Sequence, residues 1–469
     1  MPTLVFNRVY RGALLAVALF AAALPATVAG AQQAADIAAL TARPSPEWVR
    51  HAVVYEVNER DFSDAGTFNA ITSRLDDLSK LGVTVLWLMP VHPIGQLNKK
   101  GSIGSPYAVR DYYDVSPAFG TKDDLKRLVR AAHQRGLKVV IDIVANHTSW
   151  DAVMMKTPAY YVRDASGKVQ SPYDWTDVAK LDYSNAATRR YMLDMLAMWI
   201  RDYDLDGFRC DAAAEVPTSF WDAARDELAR IKPDIFLLAE AHKPDLLVKA
   251  FDMDYSWPMY GALASVVEGG RRAEIIRGEW EAERATYPRG ALHLRFTENH
   301  DEKRAIARFG ERGAVAAAAL MFTLDGVPLM YNGQEAGDVT ESGAPALFEK
   351  MPVFWQGAER RPEVVAFFKN IIPLRRAHPA LLDGNVRWLA NSDDGRVLTY
   401  IRHSGGEDVL IAVNLSNKPF SGTVEAQGAD YTEITPRTPG QRADSTMRTA
   451  ALPALSLDAW GYRIFSRGR

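Results

Sequence analysis

A single cysteine, Cys210, occurs among the 469 residues. That excludes an internal disulfide and a lipid-modified cysteine close to the N-terminus, so stability has to come from a packed core. Neither sign of charge is in large excess. The 55 Lys and Arg nearly balance the 58 Asp and Glu, for a formal net charge of −3. Such a chain presents no basic field to attract nucleic acid or an anionic membrane. Internal repeats and low-complexity linkers are absent from the sequence. Long apolar runs are absent too, apart from Ala13–Val28, which is Ala-rich and shorter than the roughly 20 residues of a comfortable membrane span. Arg8 and Arg11 precede that run and Ala29-Gly30-Ala31 follows it. A positive segment, an apolar stretch and a small-residue cleavage site define a secretory signal peptide, assigned to residues 1–31. The protein is therefore expected to be periplasmic or secreted, with no membrane association once the leader is removed.

Apolar and aromatic side chains are plentiful. Hydrophobic residues make up 48% of the chain and aromatic ones 10%, ample for a large core. The rings also suit sugar binding, because flat apolar sugar faces stack on aromatic faces. From His51 onward, strand-type runs alternate with helical periodicity, the pattern of a parallel sheet with crossover helices. The expected strands are Val53–Val57, Val83–Leu88, Leu137–Val144, Gly207–Cys210, Ile235–Leu238, Phe251–Met253, Leu292–Phe296 and Val327–Tyr331. Between them, Leu75, Leu78 and Leu81 keep helical spacing, and Thr121 with Asp124 resembles a capping box opening a helix that ends at Gly136. These elements predict an α/β fold, a closed (β/α)8 TIM barrel over residues 48–380. The rhythm breaks in a Pro-, Tyr- and Trp-containing stretch after the third strand, read as a small inserted domain over 147–185. After Pro379 the pattern turns to strand alternation with Gly, Asn and Asp clusters, read as an antiparallel β-sandwich over 381–469.

Polar clusters close several of the strands: Asp142 with Asn146 and His147 (VVIDIVANH), Arg209 with Asp211 (GFRCD), Glu240 (IFLLAE), and Asn299, His300 and Asp301 (RFTENHD). In a parallel barrel the C-terminal strand ends share one face, so these clusters are expected to converge. Paired carboxylates there suit glycoside hydrolysis, which needs a nucleophile and a proton donor to the leaving oxygen. Arg209 and Asp211 share a strand face, with Cys210 on the opposite one. The guanidinium is expected to keep Asp211 ionised, as a nucleophile requires. Glu240 emerges from a hydrophobic strand near other carboxylates, which raises its pKa and suits an acid. Asp301 is left to hydrogen-bond sugar hydroxyls. His147 and His300 are expected to bind hydroxyls of the same sugar, and Asp142 to fix a neighbour such as Arg209.

These motifs, in this order, resemble the α-amylase family of glycoside hydrolases from about His51 to the C-terminus. The resemblance implies a barrel with a small insertion after strand three and a C-terminal β-sandwich. It implies Asp211 as nucleophile, Glu240 as acid/base, Asp301 as transition-state stabiliser, and Tyr107 (SPYAVRDYY) as the ring that stacks on the sugar. The segment GVPLMYNGQE matches the family's eighth strand at Gly326, Pro328, Gly333 and Glu335. Where many α-amylases carry Lys-His after the nucleophile, this chain has Ala214 and Glu215. That run, and AKLD at Leu181, are closer to the cyclomaltodextrinase and neopullulanase branch. Asn146 matches a family calcium ligand whose histidine counterpart is missing here, so calcium is left open and no other cofactor is expected. The implied activity is retaining hydrolysis of α-1,4 bonds in starch-derived glucans and maltooligosaccharides. Transglycosylation or cyclomaltodextrinase-type action would use the same site. A non-catalytic sugar-binding protein would be expected to have lost a catalytic carboxylate, and all three are present.

Overall fold

The computed structural model describes residues 36–426, 430–436 and 452–468. The expected leader, residues 1–31, lies outside the described residues. In chain order the first strands are β1 (Val54–Val57), β2 (Val85–Leu88), β3 (Lys138–Val144), β4 (His147–Ser149) and β5 (Val178–Lys180). They are followed by β6 (Gly207–Asp211), β7 (Phe236–Ala239), β8 (Met253–Tyr255), β9 (Leu292–Arg295) and β10 (Val327–Tyr331). Eight of these close into a barrel in the order β1-β10-β9-β8-β7-β6-β3-β2. All eight contacts are parallel, as crossover helices require.

The sequence dictates this through strand parity. Alternate residues of β3 separate: Val140 joins an inner cluster with Val54, Val85, Trp87, Leu238, Met253 and Leu294. Val139, Ile141 and Ile143 join the outer cluster beneath the helices. Both faces are buried, so the strands read as nearly continuous apolar runs. Gly207 opens β6 because a Cβ there would lie 1.9 Å from the Phe236 carbonyl oxygen. The helix Lys122–His133 has its capping box, with Thr121 and Asp124 each bonding the other's backbone. Its buried face is Leu125, Leu128, Val129 and Ala132.

One strand differs from expectation. The run Phe251–Met253 suggests a strand, but β8 starts at Met253, because Phe251 N–H bonds back to Leu246 and closes the preceding short helix. The insertion after β3 is a two-stranded antiparallel ladder, β4 with β5, in the register His147↔Lys180.

The C-terminal part contains β11 (Asn385–Trp388), β12 (Val397–Ser404), β13 (Glu407–Asn414), β14 (Phe420–Thr423), β15 (Thr432–Glu433), β16 (Ala454–Leu457) and β17 (Tyr462–Arg467). A five-stranded sheet runs β11-β12-β13-β17-β15, and β14 pairs with β16. One face of the larger sheet, with Ile401, Leu410 and Phe465, packs on Phe420, Leu455 and Leu457 of the smaller ladder. The other face, with Leu398, Tyr400, Val409, Ile411 and Ile464, merges with the core around the barrel helices. Two buried arginines sit at that junction. Arg375 donates to the Phe322 and Gly326 carbonyls, and Arg402 to those of Thr323 and Gly384. The Phe322 and Thr323 carbonyls are among those that the C-terminus of helix Ala305–Thr323 leaves open. Among the described residues, no helix is long and apolar enough to cross a membrane.

Candidate active site

Parity also selects the site. Position by position, the face of β6 that carries Arg209 also carries Asp211, while Cys210 points into the outer core. Arg209 is wholly buried and forks to three carboxylates, Asp211 of its own strand and two from the adjacent β3 and the end of β7. Its Nη1 donates to Asp142 Oδ1 at 3.0 Å and to Asp211 Oδ1 at 3.0 Å, and its Nη2 lies 3.1 Å from Glu240 Oε2. The guanidinium is itself fixed above aromatic rings, 5.3 Å from Trp87 and 5.6 Å from Tyr255. Glu240 is oriented further by the Ala212 N–H, which donates to its Oε2 at 2.8 Å. Asp211 and Glu240 are thus held on the two terminal nitrogens of one guanidinium, at 3.0 and 3.1 Å.

A second layer faces this pair. Tyr107 donates its hydroxyl to Asp142 Oδ2 at 3.0 Å, and the same oxygen lies 2.7 Å from His300 Nε2. The Tyr107 and His300 rings stack with centroids 5.3 Å apart and planes 21° apart. His300 Nε2 is also 3.2 Å from Asp301 Oδ2, while Nδ1 bonds Glu56 on β1. Asn299 turns inward to cap the following chain, accepting from the Asp301 and Glu302 N–H groups at 3.0 and 3.1 Å. His147 has Trp175 of the insertion edge-on at 5.5 Å and lies within the field of Asp177 and Glu240. The structure thus brings Asp142, Arg209, Asp211, Glu240, Tyr107, His300 and Asp301 into one bonded network, with Asn299 bracing the turn after β9.

Glu56 is a site residue that motif reading passes over. It lies inside VVYEV, a run that looks like plain core, yet its side chain is fully buried and holds the His300 ring. A charged residue in the middle of a buried strand is the signal that marks it.

Burial dominates the protonation of the site. It raises Glu240 above the usual carboxylate range; Arg209 opposes the rise and Asp211 adds to it. Burial lifts Asp301 to about 7, with the neighbouring His300 pulling the other way. It lifts Glu56 to about 8 against the pull of Arg209. His147 is pushed down to about 4 by desolvation. Asp211 departs from expectation: its pKa is raised rather than lowered. Burial outweighs a guanidinium whose charge is divided among Asp142, Asp211 and Glu240.

The surroundings of Asn146 do not fit calcium, which takes roughly six to eight oxygen ligands. Its backbone oxygen accepts from Leu181 N–H at 3.0 Å, and its side-chain amide faces His147 Nδ1 at 3.4 Å. Lys180, opposite His147 in the β4–β5 ladder, carries its ammonium 4.0 Å from Glu215 Oε2. Among the described residues, no group of three or more His, Cys, Asp or Glu is arranged to hold a metal.

A closed parallel barrel whose strand ends bear a carboxylate pair on a shared arginine, with a third carboxylate and a Tyr–His stack across from them, has the architecture of a glycosidase. Sequence comparison carries this to a family: the α-amylase catalytic-domain model matches residues 53–177 and 276–384, and the chain belongs to the α-amylase family of glycoside hydrolases. An α-amylase, MalA, of Haloarcula japonica is 32% identical over 85% of this chain. The chain spans 60% of that relative's length. A cyclomaltodextrinase of Geobacillus thermopakistaniensis is 27% identical, covering 80% of this chain and 70% of that protein. Among solved structures, the maltogenic α-amylase AmyB of Thermotoga neapolitana superposes with a TM-score of 0.77 at 28% identity, over 90% of this chain and 97% of that one. An α-amylase of Lactobacillus plantarum gives 0.78 at 28% identity, over 90% of this chain and all of that one.

Proposed function

We propose that the protein is an exported, retaining hydrolase of α-1,4-glucosidic bonds in maltooligosaccharides and related glucans. The observation that carries this reading is the Asp211–Glu240 pair bridged by Arg209. An inverting enzyme needs its carboxyl groups roughly 6.5–9.5 Å apart to admit water, whereas retaining ones stand about 5–5.5 Å apart. Two carboxyls held on adjacent nitrogens of one guanidinium belong with the close-spaced class. Glu240, held protonated by burial, delivers its proton to the glycosidic oxygen. The one proton of the pair resides on Glu240, and Asp211, as the carboxylate paired with Arg209, attacks the anomeric carbon from the opposite side. Water then releases the glucosyl-enzyme, with Glu240 as base. Asp301 and His300 hold hydroxyls of the same ring, His147 holds another, and Tyr107 stacks on its face.

The relatives named cyclomaltodextrinase and maltogenic amylase support cyclomaltodextrinase-type or maltogenic action at the same site. Transfer of the glucosyl unit to a second sugar would use the same intermediate. Export rests on the leader-type pattern through Ala31, and N-terminal sequencing of protein from the periplasm or medium tests it.

Asp211→Asn and Glu240→Gln should each reduce turnover of a chromogenic maltoside by about 10³-fold or more. Near-normal turnover in either variant refutes the assignment, and release of the β-anomer first refutes retention.

A further inference from the structure

Two segments leave the site and meet again above it. Before Tyr107 the chain runs back through Gly104, Ile103, Ser102 and Gly101. Beyond β10, the segment Ser342–Glu349 passes over the residues that follow Asp301. Ser342 Oγ donates to the Glu302 carbonyl at 2.7 Å, and a Cβ on Gly343 would lie 2.9 Å from the Asp301 carbonyl oxygen. The helix Ala344–Phe348 then delivers this segment to the first one. Ile103 N–H donates to the Phe348 carbonyl at 3.2 Å, Ser102 N–H to Glu349 Oε1 at 2.7 Å, and the Ser102 hydroxyl to Glu349 Oε2. Gly101, at φ +66°, lies so close that a Cβ would sit 2.5 Å from Phe348 Cβ. Underneath, buried Arg60 donates to the Leu347 carbonyl at 3.2 Å and to the Gly104 carbonyl at 3.1 Å. The other flank of the same loop is tied to the insertion by Lys100 and Asp177, 2.8 Å apart.

Which end of the cleft this covers follows from the site. The anomeric carbon faces Asp211 and Glu240, and the leaving chain departs on the Glu240 side. On the roles proposed above, the hydroxyl-bearing edge of the ring faces the histidines and Asp301, and O4, where the preceding glucose is attached, lies across the ring from the anomeric carbon. The joined segments rise from Tyr107 and Asp301, so they stand on the glycone side.

We propose that these joined segments close the glycone end of the cleft, and that the Ser102–Glu349 contact sets how long a glycone the enzyme accepts. The proposal rests on the α-glucan hydrolase reading above and deepens it. The enzyme cuts a short unit from the non-reducing end, and interior bonds of long chains are poor substrates because the preceding glucose units run into the wall. Ser102 is exposed and Glu349 half-buried, so the contact can be removed without disturbing the core.

Maltoheptaose labelled at its reducing end tests this. Early in the digest, the native enzyme should leave the label on fragments only slightly shorter than the substrate. Glu349→Ala and Ser102→Ala should move it several-fold toward short fragments, while Ser102→Lys, which restores a donor opposite Glu349, should keep the native pattern. Label appearing early on maltose or maltotriose with the native enzyme overturns the closed end. A native pattern in both alanine variants overturns the role of this pair. Loss of all cleavage, of the labelled glucan and of a chromogenic maltoside alike by the native enzyme, removes the parent reading instead.

Discussion

Arg209 serves Asp142, Asp211 and Glu240 through two nitrogens, and this sharing shapes the chemistry of the site residue by residue. A lysine at that position would keep the charge but not the fork. Arg209→Lys is therefore expected to lose about 10²-fold or more in kcat, with less change in KM, measured on a chromogenic maltoside. Glu56 supplies a pH test. In the folded chain its carboxyl is raised from 4.5 to about 8, so the native state holds that proton more tightly than the unfolded state does. Charging Glu56 accordingly destabilises the fold progressively as pH climbs from about 4.5 to about 8. Glu56→Gln cannot charge, so its Tm relative to the parent should rise across that window. A pH-independent offset in calorimetry would show that Glu56 does not titrate there. GFRCD and NHD announce themselves because polar residues at the ends of apolar runs have few other uses. Glu56 is hidden inside such a run, and the upward shift of Asp211 is hidden because one sequence motif does not reveal how many partners its arginine has.

The elements were legible to different degrees, for a physical reason. Barrel strands are buried on both faces, so runs such as KVVIDIV stand out, and β3, β6 and β10 fall within a residue or two of their expected limits. β8 is only three residues long, too short for a period to define its start. The capping box before helix Lys122–His133 was readable from Thr121 and Asp124. Thr121→Ala should cost about 1 kcal/mol in urea denaturation. The β4–β5 ladder makes a different prediction. With Asn146 engaged by Leu181 N–H and His147 Nδ1, exhaustive chelation should leave activity and Tm unchanged. A fall in either after EDTA, reversed by calcium, would contradict this account of the insertion.

On the scale of the whole molecule, the barrel and the C-terminal sheet share one core. Arg375 and Arg402 sit together at the seam, and burial with their mutual repulsion pushes Arg375 down to about 9. Arg402→Met would strand the Gly384 and Thr323 carbonyls without their donors. It should lower stability by about 2–4 kcal/mol while unfolding stays a single transition. Separate melting of two parts would show that the seam does not couple them. Contacts of this kind, like the tie between Ser102 and Glu349 across 247 positions, leave no local trace in sequence. The five-stranded sheet is enclosed on one side by helices and on the other by the β14–β16 ladder. Among the described residues, neither face of that sheet is left open as a flat platform for a polysaccharide, so a polymer docked on the C-terminal part would meet strand edges and loops rather than a sheet face.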